Sequence, residues 1–322
     1  MEEDIGLRRK QVIKRKISGI LLILLGVCTI IFPELLQYIN WNYINLPLIL
    51  QVCPGIKNLI GILCIVVGLP LFLINTAKVY CMTSNDIIAV LPKLPIGFSC
   101  EKELGLKTTN ISKETLKNAI IDANNFARDI NVSKVHKPCF FSICDIPFIV
   151  KTGYLIGDGT HSVRYLHYIR SKGKCIEIKG NNGKLEFSSN YIDKGSKDLL
   201  VSLSTSFKIN THTLNEKFLN MNLLCIETKN IDVDSILKLN DLNCFCDFVI
   251  DTIREKSATV NNVHLLLATS SSVAFAIGQR LSNTIDRPTI VYQFENSNIS
   301  DNRPWGILIN SKEQTNDSII LS

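Results

Sequence analysis

The 322-residue sequence is poor in the residues that usually betray chemistry. It has five histidines, three methionines and two tryptophans, and charged residues make up 20% of it. The histidines (His136, His161, His167, His212, His264) are dispersed. None of the 11 cysteines forms a CxxC, their number is odd, and the closest pair is Cys244 and Cys246. A disulfide framework or a zinc site needs tighter, paired spacing. Reduced, mostly buried thiols are therefore expected, with no metal and no cofactor. The chain also lacks GxSxG, HExxH and GxxxxGK[ST]. Gly153, Gly157 and Gly159 are not a dinucleotide fingerprint, because they follow a helical stretch instead of opening one. The sequence reads as one built to bind, not as an enzyme.

Positive charge is scarce where a long polyanion would need it. Residues 81–322 hold 27 Lys/Arg against 25 Asp/Glu, which argues against a long nucleic acid as partner. Residues 33–55 contain no Lys or Arg at all. Before them runs Ile17 to Leu36, twenty residues without a cation and with one late acid, Glu34. At ~1.5 Å per residue this covers about 30 Å, the hydrocarbon thickness of a bilayer. A second apolar run occupies Leu59–Ile74 and extends from Ile56 to Ala77. Tyr38, Trp41 and Tyr43 lie between them, suited to the membrane interface. The first run is too long for a signal peptide and no small-residue cleavage site follows it. Arg8, Arg9, Lys10, Lys14, Arg15 and Lys16 precede the first run and Lys78 follows the second. By the positive-inside rule, both the N-terminus and the large C-terminal region are expected in the cytoplasm. Residues 1–80 are thus expected to form a two-helix transmembrane hairpin, with spans at about 17–36 and 56–77 and the lipid bilayer as partner. The two helices have no intramembrane acid or base of the kind that marks a transport path, since Lys57 is near the end of its helix and can snorkel, so any pore needs several copies.

Residues 81–322 alternate between strand-like and helix-like stretches. Ser112 is placed to cap a helix that carries Leu116, Ala119, Ile120, Ala123, Ala127 and Ile130 on one face. Gly180-Asn181-Asn182-Gly183, between Cys175–Lys179 and Lys184–Ser188, reads as a hairpin turn. A second helix is expected over about Asp234–Glu255, and a final strand at Trp305–Ile309. Phe140–Gly157 aligns with Leu265–Leu281 so that Gly153 falls on Gly278, each 12 residues after a strand position, Phe141 and Leu266. Tyr165–Tyr168 then falls on Ile290–Gln293. The repeated order of strand, polar turn, apolar helix, strand and last strand implies an α/β fold of two Rossmann-like halves, about 85–195 and 196–322, with mostly parallel sheets.

Ligands of open α/β sheets collect beyond the carboxyl ends of the strands. The conspicuous ends are Ser204-Thr205-Ser206, Thr269-Ser270-Ser271-Ser272 and Gln293-Phe294-Glu295. The second sits where a strand meets a helix, and backbone amides with the positive end of the helix dipole favour an anion there. Plain helix capping by Ser270 or Ser271 explains the same residues without a ligand. In the first half the equivalent turn is Cys144-Asp145-Ile146-Pro147, with Lys151 one turn into the helix as a phosphate contact or a solvated lysine. Phe294, Tyr168 and Trp305 are candidate stacking partners for bases, or ordinary packing. Glu295 and Asp145 are candidate acceptors for an adenine amino group, or solvated acids.

The segment Val263–Glu295, followed by Pro304–Ile309, resembles the C-terminal signature of SAVED domains. The residues that carry the resemblance are His264, Ser270, Ser271, Ser272, Ala274, Gly278, Val291, Tyr292, Phe294 and Glu295. It extends over about residues 85–322. The family's fusion of two CARF-like halves agrees with the internal repeat. With the hairpin, the chain resembles the two-transmembrane SAVED effectors of CBASS anti-phage systems. That resemblance implies a receptor for a cyclic oligonucleotide, adenine-containing and of three or four nucleotides, made by a cGAS-like nucleotidyltransferase on infection. It implies self-association on ligand binding, clustering of the hairpins, disruption of the bacterial inner membrane and abortive infection. A membrane-tethered ring nuclease and a passive recruiter are the competing readings.

Overall fold

The computed structural model describes residues 18, 77–84, 94–95, 98–108, 112–133, 135, 137–157, 163–181, 183–295, 303–310 and 318–321. The chain divides into two compact units, Met1–Ala77 with Gly97–Ser99, and Lys78–Ile96 with Cys100–Ser322. The two expected membrane spans lie almost wholly outside the described residues. Among the described residues no helix is long and apolar enough to cross a membrane.

The described residues form two sheets. The first contains β1 (Ala77–Ser84), β2 (Phe98–Leu106), β3 (Cys139–Ile143), β4 (Arg164–Ile169) and β5 (Lys174–Ile178), in the order β2-β1-β3-β4-β5. Helices α1 (Lys113–Val132) and α2 (Ile146–Ile156) belong to this half. Helix α1 starts as expected, with Ser112 Oγ accepting from the Thr115 amide at 3.1 Å. Its buried stripe is the expected one with Phe126 added. Pro147 in the first turn of α2 helps fix its start, since a proline there removes an amide that would have no helical partner.

The second sheet contains β6 (Phe187–Ile192), β7 (Asp198–Ser204), β8 (Asn222–Thr228), β9 (Asn262–Ala268), β10 (Thr289–Tyr292), β11 (Trp305–Leu308) and β12 (Ile319–Leu321). Their order is β12-β11-β10-β9-β7-β8-β6. Its helices are the single-turn α3 (Glu216–Leu219), α4 (Leu239–Lys256) and α5 (Ser271–Arg280). The core of five strands repeats the first sheet: β8-β7-β9-β10-β11 corresponds to β2-β1-β3-β4-β5.

Four expectations need correction. The sheets are mixed, not mostly parallel: β8, β7, β9 and β10 run parallel, while β6, β11 and β12 pair antiparallel at the rims, as β5 does on β4. The glycine–asparagine segment does not make a hairpin. Strand β5 pairs with β4 and β6 with β8 in the other sheet, so this segment links the sheets. Tertiary bonds override the local turn: the Gly180 carbonyl accepts from the Asn240 amide and Asp241 accepts from the Leu185 amide, docking the link on the start of α4. Helix α4 starts at Leu239, not near Asp234, because Asp234 and Ser235 are drawn into bonds with His167 and with the Thr205 carbonyl. Finally, β11 does not close the domain; β12 lies outside it.

The repeat is visible in the packing of α2 on α5. A Cβ on Gly153 would overlap the Phe275 carbonyl oxygen, and a Cβ on Gly278 would overlap the Val150 carbonyl oxygen. Each glycine also faces the amide of the residue after its counterpart, Gln279 for Gly153 and Tyr154 for Gly278. Both pairs are reciprocal under one offset of 125 residues, the same offset that sets Phe141 on Leu266. The helices therefore cross about a local two-fold axis, backbone against backbone, where only glycine fits. Phe140 stacks on Phe275 at 3.9 Å between centroids, and one apolar core runs through both halves.

Candidate functional site

At their carboxyl ends, β1, β3 and β4 of the first half face β7 and β9 of the second across a cleft of about 380 Å³. Ser84, Ser142, Asp145, His167 and Tyr168 line one side, and Ser206, Thr269, Ser270 and Ser271 the other. A second cavity of about 460 Å³, lined by Lys208, Asn210, Gln293, Phe294 and Arg303 among others, shares Ile146, Phe207 and Thr269 with the first. Each is of the size small-molecule sites commonly have.

The second-half wall is built by hydrogen bonds at the strand ends. The amides of Thr205 and Ser206 both donate to the Ala268 carbonyl, at 3.1 and 2.9 Å, which ties the loop after β7 to the end of β9. Ser270 is the N-cap of α5, but its side chain does not cap: Oγ meets Ser272 Oγ at 3.0 Å. In the first half Asp145 occupies the N-cap of α2, again without a capping bond to its helix. Gln293, at the end of β10, bridges the halves. Its Nε2 donates to Asp145 Oδ1 at 3.2 Å and its Oε1 accepts from the Ile146 amide at 3.1 Å. The starts of α2 and α5, related by the 125-residue offset, thus lie at the same cleft.

Of the residues expected from sequence, the structure brings Asp145, Ser206, Thr269, Ser270, Ser271, Gln293 and Phe294 to the two cavities. Others lie elsewhere. Lys151 is buried and donates to the Ile309 carbonyl at 2.6 Å, so it anchors the chain after β11 instead of meeting a phosphate. Burial pushes its ammonium down to about 8. Trp305 is in the core at 5.5 Å from the Phe148 ring, and its indole N–H donates to Glu295 at 3.0 Å. That bond takes Trp305 out of stacking and commits Glu295 to the tryptophan. Ser204 Oγ accepts from the Ile209 amide, Ser272 is buried against Ser270, and the Thr205 carbonyl holds Asp232 and Ser235; all three shape the loops behind the wall.

Sequence reasoning missed most of the first-half wall. Ser142 is a lone polar residue in an apolar strand, while Ser84 and Thr108 stand in ordinary polar runs after their strands, and nothing in their spacing marks them. His167 Nε2 lies 2.7 Å from Asp234 Oδ1, joining β4 to the loop after β8. Phe207 had a signal, since it directly follows the serine cluster, and in the structure it is 62% exposed, unusual for a large apolar side chain. The Arg303 guanidinium lies 4.4 Å from the Phe294 ring. Burial pushes the Cys144 thiol up, which keeps it protonated and unreactive. Among the described residues no three His, Cys, Asp or Glu side chains cluster as a metal site. Hydroxyls and helix starts suit phosphate, while the exposed rings of Phe207 and Phe294 offer planar faces for bases.

Tandem α/β halves with a shared strand-end cleft define the module. Residues 122–309, more than half of the chain, match the family model of SAVED, the SMODS-associated and fused to various effectors sensor domain, and the chain belongs to that family. Among solved structures it is similar to the Acinetobacter baumannii Cap4 SAVED/CARF-domain containing receptor with the cyclic trinucleotide 2'3'3'-cAAA. The two are 14% identical, the match covers 76% of this chain and 56% of that one, and the TM-score is 0.48. The Moraxella osloensis Cap4 receptor is also 14% identical, with 77% and 56% covered and a TM-score of 0.44. The chain thus spans rather more than half the length of these Cap4 proteins. No curated protein matches it.

Proposed function

We propose that the chain is a membrane-anchored receptor for a cyclic oligonucleotide. The observation that carries this reading is the cleft itself, where strand ends of both halves meet and two helix starts converge beside exposed aromatic rings. Membership in a family described as a sensor domain supports it. A ring of three or four nucleotides, adenine-containing, has several phosphates and bases within a small perimeter, which suits paired cavities better than an extended strand does. The hydroxyl-rich turn Thr269–Ser271 takes phosphate, and the exposed Phe207 and Phe294 take bases.

The effector part of the proposal rests on the amino-acid sequence. Residues 1–80 anchor the chain in the bacterial inner membrane, with the N-terminus and the SAVED domain on the cytoplasmic side. Ligand binding favours a self-associated state through its higher affinity for that state, and clustered hairpins then disrupt the bilayer and abort infection. The test is dye release from liposomes carrying the full-length protein, with cyclic di-, tri- and tetra-adenylates added. Leakage that depends on one ring supports the proposal. Proven binding with intact vesicles makes the chain a recruiter, and loss of the ring on chromatography makes it a ring nuclease.

A further inference from the structure

The two helix starts at the cleft are not equivalent, and one side chain makes the difference. A helix leaves its first-turn amides without internal partners. At α2 one of them, the Ile146 N–H, donates to Gln293 Oε1 of the other half at 3.1 Å. Gln293 Nε2 donates to Asp145 Oδ1 at 3.2 Å and to the Phe294 carbonyl at 3.1 Å. Both ends of this amide are therefore engaged within the protein. At α5 Ser270 makes no capping bond, and its Oγ meets Ser272 Oγ. The 125-residue counterpart of Gln293 is Tyr168, which lines the first cavity. Ile146 lines both cavities, Asp145 the first and Gln293 the second, so the bridge stands on the partition between them.

We infer that Gln293 is a positioning residue and not a ligand contact. It holds the start of α2 against the end of β10, and so fixes how the two cavities line up for one ligand that occupies both. This role presupposes the receptor reading above and adds the residue that aligns its two cavities. An amide suits the post because one planar group supplies the acceptor that the Ile146 N–H needs and the donor that Asp145 needs. A carboxylate at 293 would satisfy Ile146 but would set two acceptors face to face at Asp145.

Full-length protein in detergent micelles is followed in two ways, by hydrogen–deuterium exchange without ligand and by calorimetric titration with cyclic tri-adenylate. In Gln293→Leu the first-turn amides of α2 should exchange about tenfold faster than in wild type, because the Ile146 N–H loses its acceptor. Gln293→Glu should bind the ring about tenfold more weakly. Adding Asp145→Asn to Gln293→Glu puts the donor at 145 and the acceptor at 293, so the bridge re-forms with its polarity reversed. Affinity should then return to within about threefold of wild type, which loss of a direct ligand contact at 293 would not allow. Unchanged exchange in Gln293→Leu overturns the bridge, whatever the protein binds. Wild-type affinity in Gln293→Glu, or a double variant no tighter than Gln293→Glu, overturns the positioning role and leaves the receptor reading standing. Failure of wild type to bind cyclic di-, tri- or tetra-adenylate overturns the receptor reading and the ligand-aligning role with it, and the exchange result separates that failure from failure of the bridge.

Discussion

The two halves of the SAVED domain agree where they touch each other and differ where they face the cleft. Under the 125-residue offset, Gly153 matches Gly278 and the two carbonyls they approach, Phe275 and Val150, match in turn. Along the same alignment Ser142 becomes Leu267 and Asp145 becomes Ser270 at the cavities, and away from them the buried Lys151 becomes Ala276. Close backbone packing admits almost no variation, whereas a cleft wall needs only to be polar or apolar as its occupant demands. The comparison teaches that the repeat supplies a scaffold, and that the halves depart from it at the cleft wall.

The comparison breaks most visibly at the glycines. Alanine at Gly153 or at Gly278 should each cost about 3 kcal/mol and lower the melting midpoint by roughly 6–12 °C, because overlap with a backbone carbonyl outweighs alanine's helix propensity. Differential scanning calorimetry should give the two variants nearly equal losses; a large loss at one and none at the other would remove the local two-fold. Next in size is Lys151. Because burial lowers its folded value to about 8, the unfolded chain holds a proton there that the folded chain lacks between about pH 8 and the ordinary lysine range. Stability should rise across that window, by an amount of order 2 kcal/mol, and Lys151→Met should flatten the profile in chemical denaturation at pH 7.5, 9 and 10. No such window is expected from Ala276 in the other half.

A smaller effect separates the helix starts. Ser112→Ala should cost about 1 kcal/mol by removing the α1 cap, while Lys238→Ala at the start of α4, where no side chain caps, should cost nothing measurable by thermal melting. Of the same size, but read on binding, is Phe294→Ala. It should weaken cyclic oligonucleotide binding about fivefold, roughly 1 kcal/mol, without changing the melting midpoint, since Phe294 is about half exposed.

Much of the scaffold was legible because glycine spacing and apolar periodicity report packing directly. The α1 stripe, the β3 strand and the Gly153–Gly278 equivalence all follow from those two signals. Strand direction was not legible, since alternation of side chains is the same in parallel and antiparallel pairs; hence the antiparallel rims went unread. The Asn-Gly-rich link failed as a hairpin because Asp241 and Asn240 on another element captured it. At the site, the serine-rich turn after β9 was readable from its place between strand and helix. Lys151 and Trp305 misled because a lysine or an aromatic near a strand end is read as facing the ligand, while tertiary bonds turned both into the core. Ser142 was silent because one serine in an apolar strand has no pattern.

The account depends most on the second-half turn as the anion contact of a single shared cleft. Calorimetric titration of full-length protein with cyclic tri-adenylate, beside a Ser270→Glu, Ser271→Glu double variant, tests that directly. The account predicts saturable binding of one ring per chain by wild type and at least about a hundredfold loss in the double variant at unchanged melting midpoint. Wild-type affinity in the variant would contradict it.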